Sequence, residues 1–388
     1  MGIGRVDRGV IRQNQDVYIC NYHTKAAPVK TRIVSLQQFD GLGRRTVESA
    51  LPGDIVCFSG AESITIGDTI TSLTCPEPLE FVKISEPTIE MTFAVNDSPF
   101  AGKEGKYVTS RQLRDRLYRE LLKDVSLRVS DGETTDCFKV PGRGEMHLSI
   151  LVETMRREGY ELSLSTPRVL YRDIDGVRCE PYENVIIDVP EEYMGTVMEK
   201  LGARKGELLQ MGRRGSRMEL QYLIPSRCLF GYRSEFLTAT RGEGILNTVF
   251  EGYHPYKGDM ASRMTGSLVA SEAGETTSYG LYNSQERGQL FVGVQTPVYE
   301  GMIVGENPKM GDIEINPCKT KQLTAIRSKG ADEKLILTPA KIMSLEEAIE
   351  FIADDELIEV TPKSIRLRKT ILDTATRKKA QARRKLQN

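Results

Sequence analysis

One order of hydrophobic periodicity occurs twice between residues 88 and 252, and it limits the fold more than any other feature. Residues 88–95 alternate Ile89, Met91, Phe93 and Val95, the two-residue period of a strand with one buried face. Thr109 and Gln112 are spaced as a capping box, and Leu113, Leu117 and Leu121 then share a helical face. Strand-like runs at 126–129 and 137–140 follow. The turn Pro141-Gly142-Arg143-Gly144 leads into a helix with the stripe Leu148, Leu151, Val152 and Met155; Gly159 ends it, and 161–165 is again a strand. The second copy opens with a strand at 184–189 and Pro190, a residue tolerated in a first helical turn. Met194, Val197, Met198 and Leu201 form its first stripe, and Gly206 is its stop. Strands at 208–211 and 217–224 flank the basic turn Gly212-Arg213-Arg214-Gly215-Ser216-Arg217. A helix near 229–240 stops at Gly242, and 244–251 closes the copy. Two β-α-β-β-α-β units in tandem predict two ferredoxin-like domains.

The flanks read differently. Short Val-, Ile- and Thr-rich runs at 17–20, 31–36, 54–58 and 65–71, separated by turn residues, predict a small β-barrel. From 258 onward the chain is strand-rich, at 266–270, 278–282, 289–292 and 302–305. Residues 305–330 carry little regular pattern, and a loop of that length is usually functional or disordered. Ser344 and Glu347 open a capped helix with Leu345, Ala348, Ile349 and Ile352 inward. Residues 364–369 alternate Ile365 and Leu367 with Arg366 and Arg368, which predicts a strand with one basic face; the last 18 residues read as a basic helix or tail. The fold class expected is multidomain α+β: a partial β-barrel, two ferredoxin-like domains and a strand-rich C-terminal domain with a long basic loop. The boundaries fall at 1–84, 85–172, 173–257 and 258–388, within the two to four domains that 388 residues allow.

Charge is unevenly placed. The chain has 53 basic and 54 acidic residues, yet residues 363–388 hold ten Lys or Arg against Asp373 alone. A net −10 body thus precedes a net +9 end, an asymmetry that suggests an electrostatic contact. Seven cysteines lie far apart, with no Cys-x-x-Cys pair, and His23, His147 and His254 are over 100 residues from one another. Metal and nucleophile chemistry therefore have no local support, and the thiols read as reduced in the cytosol. No apolar run reaches the ~18 residues of a membrane span. The pairs Gly102-Lys103 and Gly105-Lys106 lack the rest of a phosphate-binding loop, and no Asn-Lys-x-Asp occurs. The adjacent acids Glu191/Glu192 and Glu346/Glu347 suit helix starts rather than acid–base work.

Several segments carry a family resemblance. Gly2-Ile3-Gly4-Arg5-Val6-Asp7-Arg8-Gly9-Val10-Ile11 and Ala50-Leu51-Pro52-Gly53-Asp54-Ile55-Val56 resemble the second, β-barrel domain of translational GTPases. Gly142-Arg143-Gly144-Glu145-Met146-His147-Leu148 resembles a segment of elongation factor G domain III. Glu180-Pro181-Tyr182-Glu183, Arg204-Lys205-Gly206-Glu207 and Phe230-Gly231-Tyr232-Arg233-Ser234 resemble its domain V. The stretches at 96–106, 155–159 and 354–362, with the region 258–388, are similar to the BipA, or TypA, family of ribosome-binding GTPases, and the resemblance spans essentially the whole chain.

The resemblance implies a C-terminal fragment: the family's N-terminal GTPase domain is missing, and the barrel lacks its first strand. It implies that this chain is not an enzyme, with no catalytic, cofactor-binding or metal residue. GTP and Mg²⁺ would belong to the missing domain, and the parent would be a ribosome-dependent GTP hydrolase. The partners implied are the 70S ribosome and large subunit, rRNA and the acceptor end of an A-site tRNA, for a cytoplasmic monomer serving large-subunit assembly and growth under cold or other stress. The 305–330 loop matches the family's C-terminal loop, which makes Lys309, Lys319, Lys321, Arg327 and Lys329 the RNA-contact candidates; by charge alone it could equally be a solvated loop. Arg213, Arg214 and Arg217 are candidates for rRNA in the domain V-like turn. Arg366, Arg368 and Lys369 are further candidates, with neutralisation by the acids at 346–359 as the bland competitor. The alternative function is a stand-alone structural protein whose basic tail docks an acidic protein partner.

Overall fold

The computed structural model describes residues 1–23, 27–62, 64–81, 87–259, 263, 265–320 and 336–387. They form two compact units, residues 1–85 with 122–125, and residues 86–121 with 126–388.

The first unit is built of short strands: β1 (Gly2–Arg5), β2 (Ile11–Arg12), β3 (Asp16–Asn21), β4 (Val29–Arg32), β5 (Ser35–Asp40), β6 (Gly43–Thr46), β7 (Ser49–Ala50), β8 (Ile55–Ser59) and β9 (Asp68–Thr71). They pair as three antiparallel sheets, β1-β8-β5-β6, β4-β3-β9 and β2-β7. Val6, Val17, Ile33, Leu36, Val56 and Phe58 form the core between them. Among the described residues these sheets do not close into a barrel.

The second unit begins with the first repeat: β10 (Ile89–Val95), α1 (Ser110–Glu120), β11 (Ser130–Asp131), β12 (Cys137–Gly142), α2 (Glu145–Glu158) and β13 (Leu162–Leu164). Thr109 and Gln112 make the expected capping box on α1. On α2 the stripe Leu148, Leu151, Val152 and Met155 is buried, and Gly159 ends the helix in the left-handed conformation at φ 99°. Burying each such side chain contributes about 1.5–3 kcal/mol. The run at 126–129 is not a strand; pairing starts later, at β11. After β14 (Arg168–Val169) and β15 (Arg172–Ile174) comes the second repeat: β16 (Val177–Pro190), α3 (Glu191–Ala203), β17 (Glu207–Arg214), β18 (Arg217–Pro225), α4 (Tyr232–Ala239) and β19 (Ile245–Pro255). The helix expected near 229–240 is split. A 3₁₀ turn at Ser226–Leu229 precedes α4, because Gly231 takes a left-handed φ of 70°. Both repeats share one strand order, β11-β12-β10-β13 and β17-β18-β16-β19.

The rest comprises β20 (Gly266–Ala270), β21 (Gly274–Glu275), α5 (Ser278–Gln285), β22 (Gln289–Leu290), β23 (Pro297–Val298), β24 (Met302–Asn307), β25 (Ile313–Ile315), α6 (Leu345–Phe351), β26 (Glu356–Val360), β27 (Ile365–Lys369) and α7 (Thr374–Gln387). Residues 278–282 are helical rather than a strand. Thr277 caps α5 by accepting the Gly280 N–H, and Tyr279 and Tyr282 lie half-buried one helical turn apart. The first repeat does not end at β13. Leu162, Ser163 and Leu164 pair with Val360, Glu359 and Ile358 of β26, and β27, β24, β20 and β25 extend an eleven-stranded sheet. The molecule is thus mixed α+β with several sheets.

Candidate nucleic-acid interface

The β17–β18 hairpin folds back at Gly215, whose φ of 68° suits a residue without a side chain. Its three arginines separate by role. Arg217 donates to the carboxylate of Asp188, to the Asp188 carbonyl at 3.0 Å and to the Glu243 carbonyl at 2.9 Å, so it ties the turn end of β18 to β16 and to the segment after α4. Arg213 meets Glu191 at 3.0 Å but is 65% exposed, and Arg214 is 82% exposed with Glu219 at 3.7 Å. Exposed pairs of this kind contribute about 0–1 kcal/mol, so both guanidinium groups can exchange partners with a phosphate.

In the C-terminal loop, Lys309 and Lys319 have exposed side chains on backbone that is held in place. The Lys309 carbonyl accepts the Gly266 N–H at 2.9 Å, and the Lys319 carbonyl accepts the Thr277 hydroxyl at 2.5 Å. The strand β25 lies between them, which the sequence reading missed in the 305–330 stretch. Lys321, Arg327 and Lys329 lie outside the described residues.

Arg366, Arg368 and Lys369 lie deeper in the fold than a basic strand face suggests. Their strand, β27, sits between β26 and β24 in the large sheet, and the Arg366 side chain is 13% exposed. Arg368 is 2% and Lys369 1% exposed. Arg366 donates to Glu359 at 3.0 Å and to Glu104; Arg368 donates to Asp97. Lys369 sits among Asp312 at 2.5 Å, Glu356 at 2.9 Å and Asp355 at 3.2 Å. Burial pulls the Lys369 pKa down, but these three carboxylates outweigh it and the net direction is upward. Burial likewise pushes Glu356 up, while Lys369 and Arg263 hold it below the usual carboxylate range. Arg366 and Lys369 are thus paired within the fold, while Arg368 meets Asp97 and leaves its buried Nε without a hydrogen-bond partner. The partners Asp97 and Glu104 come from the 96–106 stretch, which sequence reading singled out for its resemblance without seeing its acids as counter-charges. Within that stretch Asn96 donates to Glu161 at 2.7 Å and to Glu359 at 3.1 Å, tying the loop to the sheet.

A cleft of about 490 Å³ beside α4 and α6 is lined by both signs of charge, including Lys200, Arg263, Lys341, Glu235, Glu306 and Glu350. Such a lining selects neither anions nor cations. Among the described residues no three His, Cys, Asp or Glu side chains are placed to hold a metal ion, and no helix is long and apolar enough to cross a membrane.

Comparison with known proteins extends the picture. Residues 2–71 match elongation factor Tu domain 2, residues 177–264 the elongation factor G C-terminus, and residues 265–374 the TypA/BipA C-terminal domain. The large ribosomal subunit assembly factor BipA of Bacillus subtilis is 49% identical over 387 residues, 99% of this chain and 63% of that protein. Proteins of the same name from Synechocystis sp. and Haemophilus influenzae are 48% and 47% identical, over 95% and 98% of this chain and 61% and 62% of their own lengths. The chain thus spans somewhat over three fifths of these relatives.

The expectation that this chain is not an enzyme is corrected by that match. Almost all of this chain aligns with BipA of Bacillus subtilis, over 63% of that protein's length. Nucleotide-binding motifs missing from residues that cover 63% of a relative are no argument against GTP hydrolysis. Three family matches in the order of a translation factor, and close to half of all positions identical to BipA along the whole chain, place this chain in the BipA family.

Proposed function

We propose that this chain is the ribosome-binding portion of a BipA-type translation factor that serves large ribosomal subunit assembly. The observation that carries this reading is the 49% identity to a protein of that name over 99% of the chain. The protein, in this reading, hydrolyses GTP with Mg²⁺ when bound to the ribosome, acts as a cytoplasmic monomer and supports growth under cold or other stress. Residues 1–84 form a domain II-like module, 85–172 and 173–257 two ferredoxin-like modules, and 258–388 the family-specific module. The shared strand order of the two repeats supports the ferredoxin-like assignment.

Arg213 and Arg214 contact rRNA from the hairpin tip. Lys309, Lys319, Lys321, Arg327 and Lys329 contact rRNA and the acceptor end of an A-site tRNA. Exposed cations on a loop or hairpin follow an irregular RNA surface and gain affinity by releasing counterions from phosphate. Sedimentation with purified 70S ribosomes at graded salt tests this. The wild-type chain is expected to pellet, with affinity falling as salt rises. Replacing the five loop cations by Ala is expected to weaken binding about tenfold or more and to flatten the salt slope. Absence of wild-type pelleting at low salt sinks the ribosome reading, and an unchanged loop variant removes the loop from it.

A further inference from the structure

The hairpin between β15 and β16 carries a feature that none of the interface residues above includes. Asp175 and Gly176, both at positive φ, turn it, and every residue from 171 to 178 is exposed. On it the Arg178 guanidinium carbon lies 3.9 Å from the Tyr171 ring centroid and 4.9 Å from that of Tyr256. Arg227 lies 4.9 Å from the Tyr256 centroid, and Arg172 4.3 Å from that of Tyr253. Tyr171, Arg178, Tyr256 and Arg227 therefore form a ladder of alternating aromatic–guanidinium contacts, in which the Tyr171 and Tyr256 rings meet edge-on, 5.8 Å apart at 75°, rather than as a parallel stack.

The inner end of the ladder is fixed. Arg227 donates to Glu180, which is fully buried, and to the Gly258 carbonyl; the Tyr256 hydroxyl donates to Asp259. The Tyr256 N–H bonds the Arg178 carbonyl at 2.9 Å, which sets the spacing of the middle rungs through the backbone. The outer end is open. Tyr171 is 40% exposed, and Arg178 makes no ion pair among the described residues. A rigid inner end and an accessible flat outer end are what a stacking platform needs, because the ordering cost is met before the ligand arrives.

We propose that the Tyr171–Arg178 end of this ladder is a stacking site for an unpaired nucleobase of single-stranded RNA. A base has a flat π-face that can lie against the exposed Tyr171 ring or the Arg178 guanidinium, and any base will serve. Asp173, Asp175 and Asp259 stand close by in sequence and leave the hairpin without the surplus of cations that tracks a long phosphate backbone. The site therefore takes one splayed base with its own phosphate, as in an RNA loop or bulge, rather than a duplex. This inference rests on the ribosome-binding reading for its biological setting, while the ladder's chemistry stands on its geometry.

The test uses the full 388-residue chain and a ten-nucleotide oligouridine RNA with one central 2-aminopurine, whose fluorescence falls when it stacks. Wild type is expected to quench the probe on binding. Tyr171→Ala and Arg178→Lys, the second of which keeps the charge and removes the plane, are each expected to weaken binding about tenfold. Tyr171→Phe should stay within about twofold and, with unchanged circular dichroism, guards against misfolding. An unquenched probe, or full affinity in Arg178→Lys, overturns the stacking site, the latter by reducing it to charge. Ribosome sedimentation of the same proteins separates the two readings. Wild type that pellets but leaves the probe unquenched sinks the ladder alone; quenching without pelleting sinks the ribosome reading alone.

Discussion

Glu145, at the start of α2, is placed where a helix dipole favours negative charge, yet its environment opposes ionisation. Burial is the largest cause, the neighbouring Glu350 and Glu183 add to it, Arg233 offsets part, and the pKa is pushed up to about 7. Glu183 and Glu350 are themselves raised, first by burial. An acid whose folded pKa lies above its unfolded value holds its proton more tightly in the fold. Its stabilisation is therefore fully present below about pH 4.5 and is lost as pH rises through about 7. Glu145→Gln is expected to remove this loss, raising stability at pH 8 by roughly 1–3 kcal/mol while changing little at pH 4.5. Chemical unfolding of both proteins at the two pH values reads the difference; an equal gain at both pH values would show that packing, not ionisation, sets it. Lys369 is the opposite case, a charge kept ionised by three carboxylates. Removing one partner of a buried ionic cluster costs about 3–5 kcal/mol, since the others are left uncompensated. Lys369→Met should show that loss in denaturant unfolding, and ribosome pelleting of the folded fraction should remain unchanged.

At the scale of elements, what could be read from the sequence was what neighbouring residues determine. Thr109 with Gln112 and Ser344 with Glu347 form the two capping boxes, and each partner lies only three residues from its cap. The stripes on α2 and α6 are buried, and the hairpin tip at Arg213 and Arg214 is exposed, because a tight turn fixes its own exposure. The misreadings have tertiary causes. In α5 the run 278–282 read as one of several strands, whereas Thr277 caps a helix, and Gly280 lies so close to the Pro317 carbonyl that a Cβ there would sit 2.2 Å from its oxygen. In β27 the alternation of Arg and apolar residues was visible, but its meaning depended on pairing with β24 and β26. Three of the acids around it, at positions 97, 104 and 312, lie more than 50 residues away in sequence, whereas Asp355, Glu356 and Glu359 fall in the 346–359 acids that the sequence offered as partners. The arginine–tyrosine ladder was hidden for the same reason, its members lying just before β15, in β16, in the 3₁₀ turn and just after β19.

For the larger unit as a whole, the sheet that joins β13 to β26 makes residues almost 200 apart neighbours. Leu162, Leu164, Ile358 and Val360 belong to one buried core with Met91, Phe93 and the inward faces of α2 and α6. Glu359 is fully buried between Arg366, Asn96 and the Tyr299 hydroxyl, 2.8 Å away, so polar contacts cross the same seam. Removing residues 258–388 would expose the edge of β13 and strip one side of that core, creating both a sticky strand edge and an uncovered apolar face. The truncated chain 1–257 is expected to aggregate, or to bind a hydrophobic dye and lose fixed packing around α2 while keeping helical circular dichroism. In the intact chain, amides of β13 and β26 should exchange with deuterium together, since they open as one cooperative unit. A soluble 1–257 whose β13 amides stay as protected as in the full chain would show instead that the first repeat folds without its strand partner. The shared sheet would then be an assembly of finished modules rather than one core.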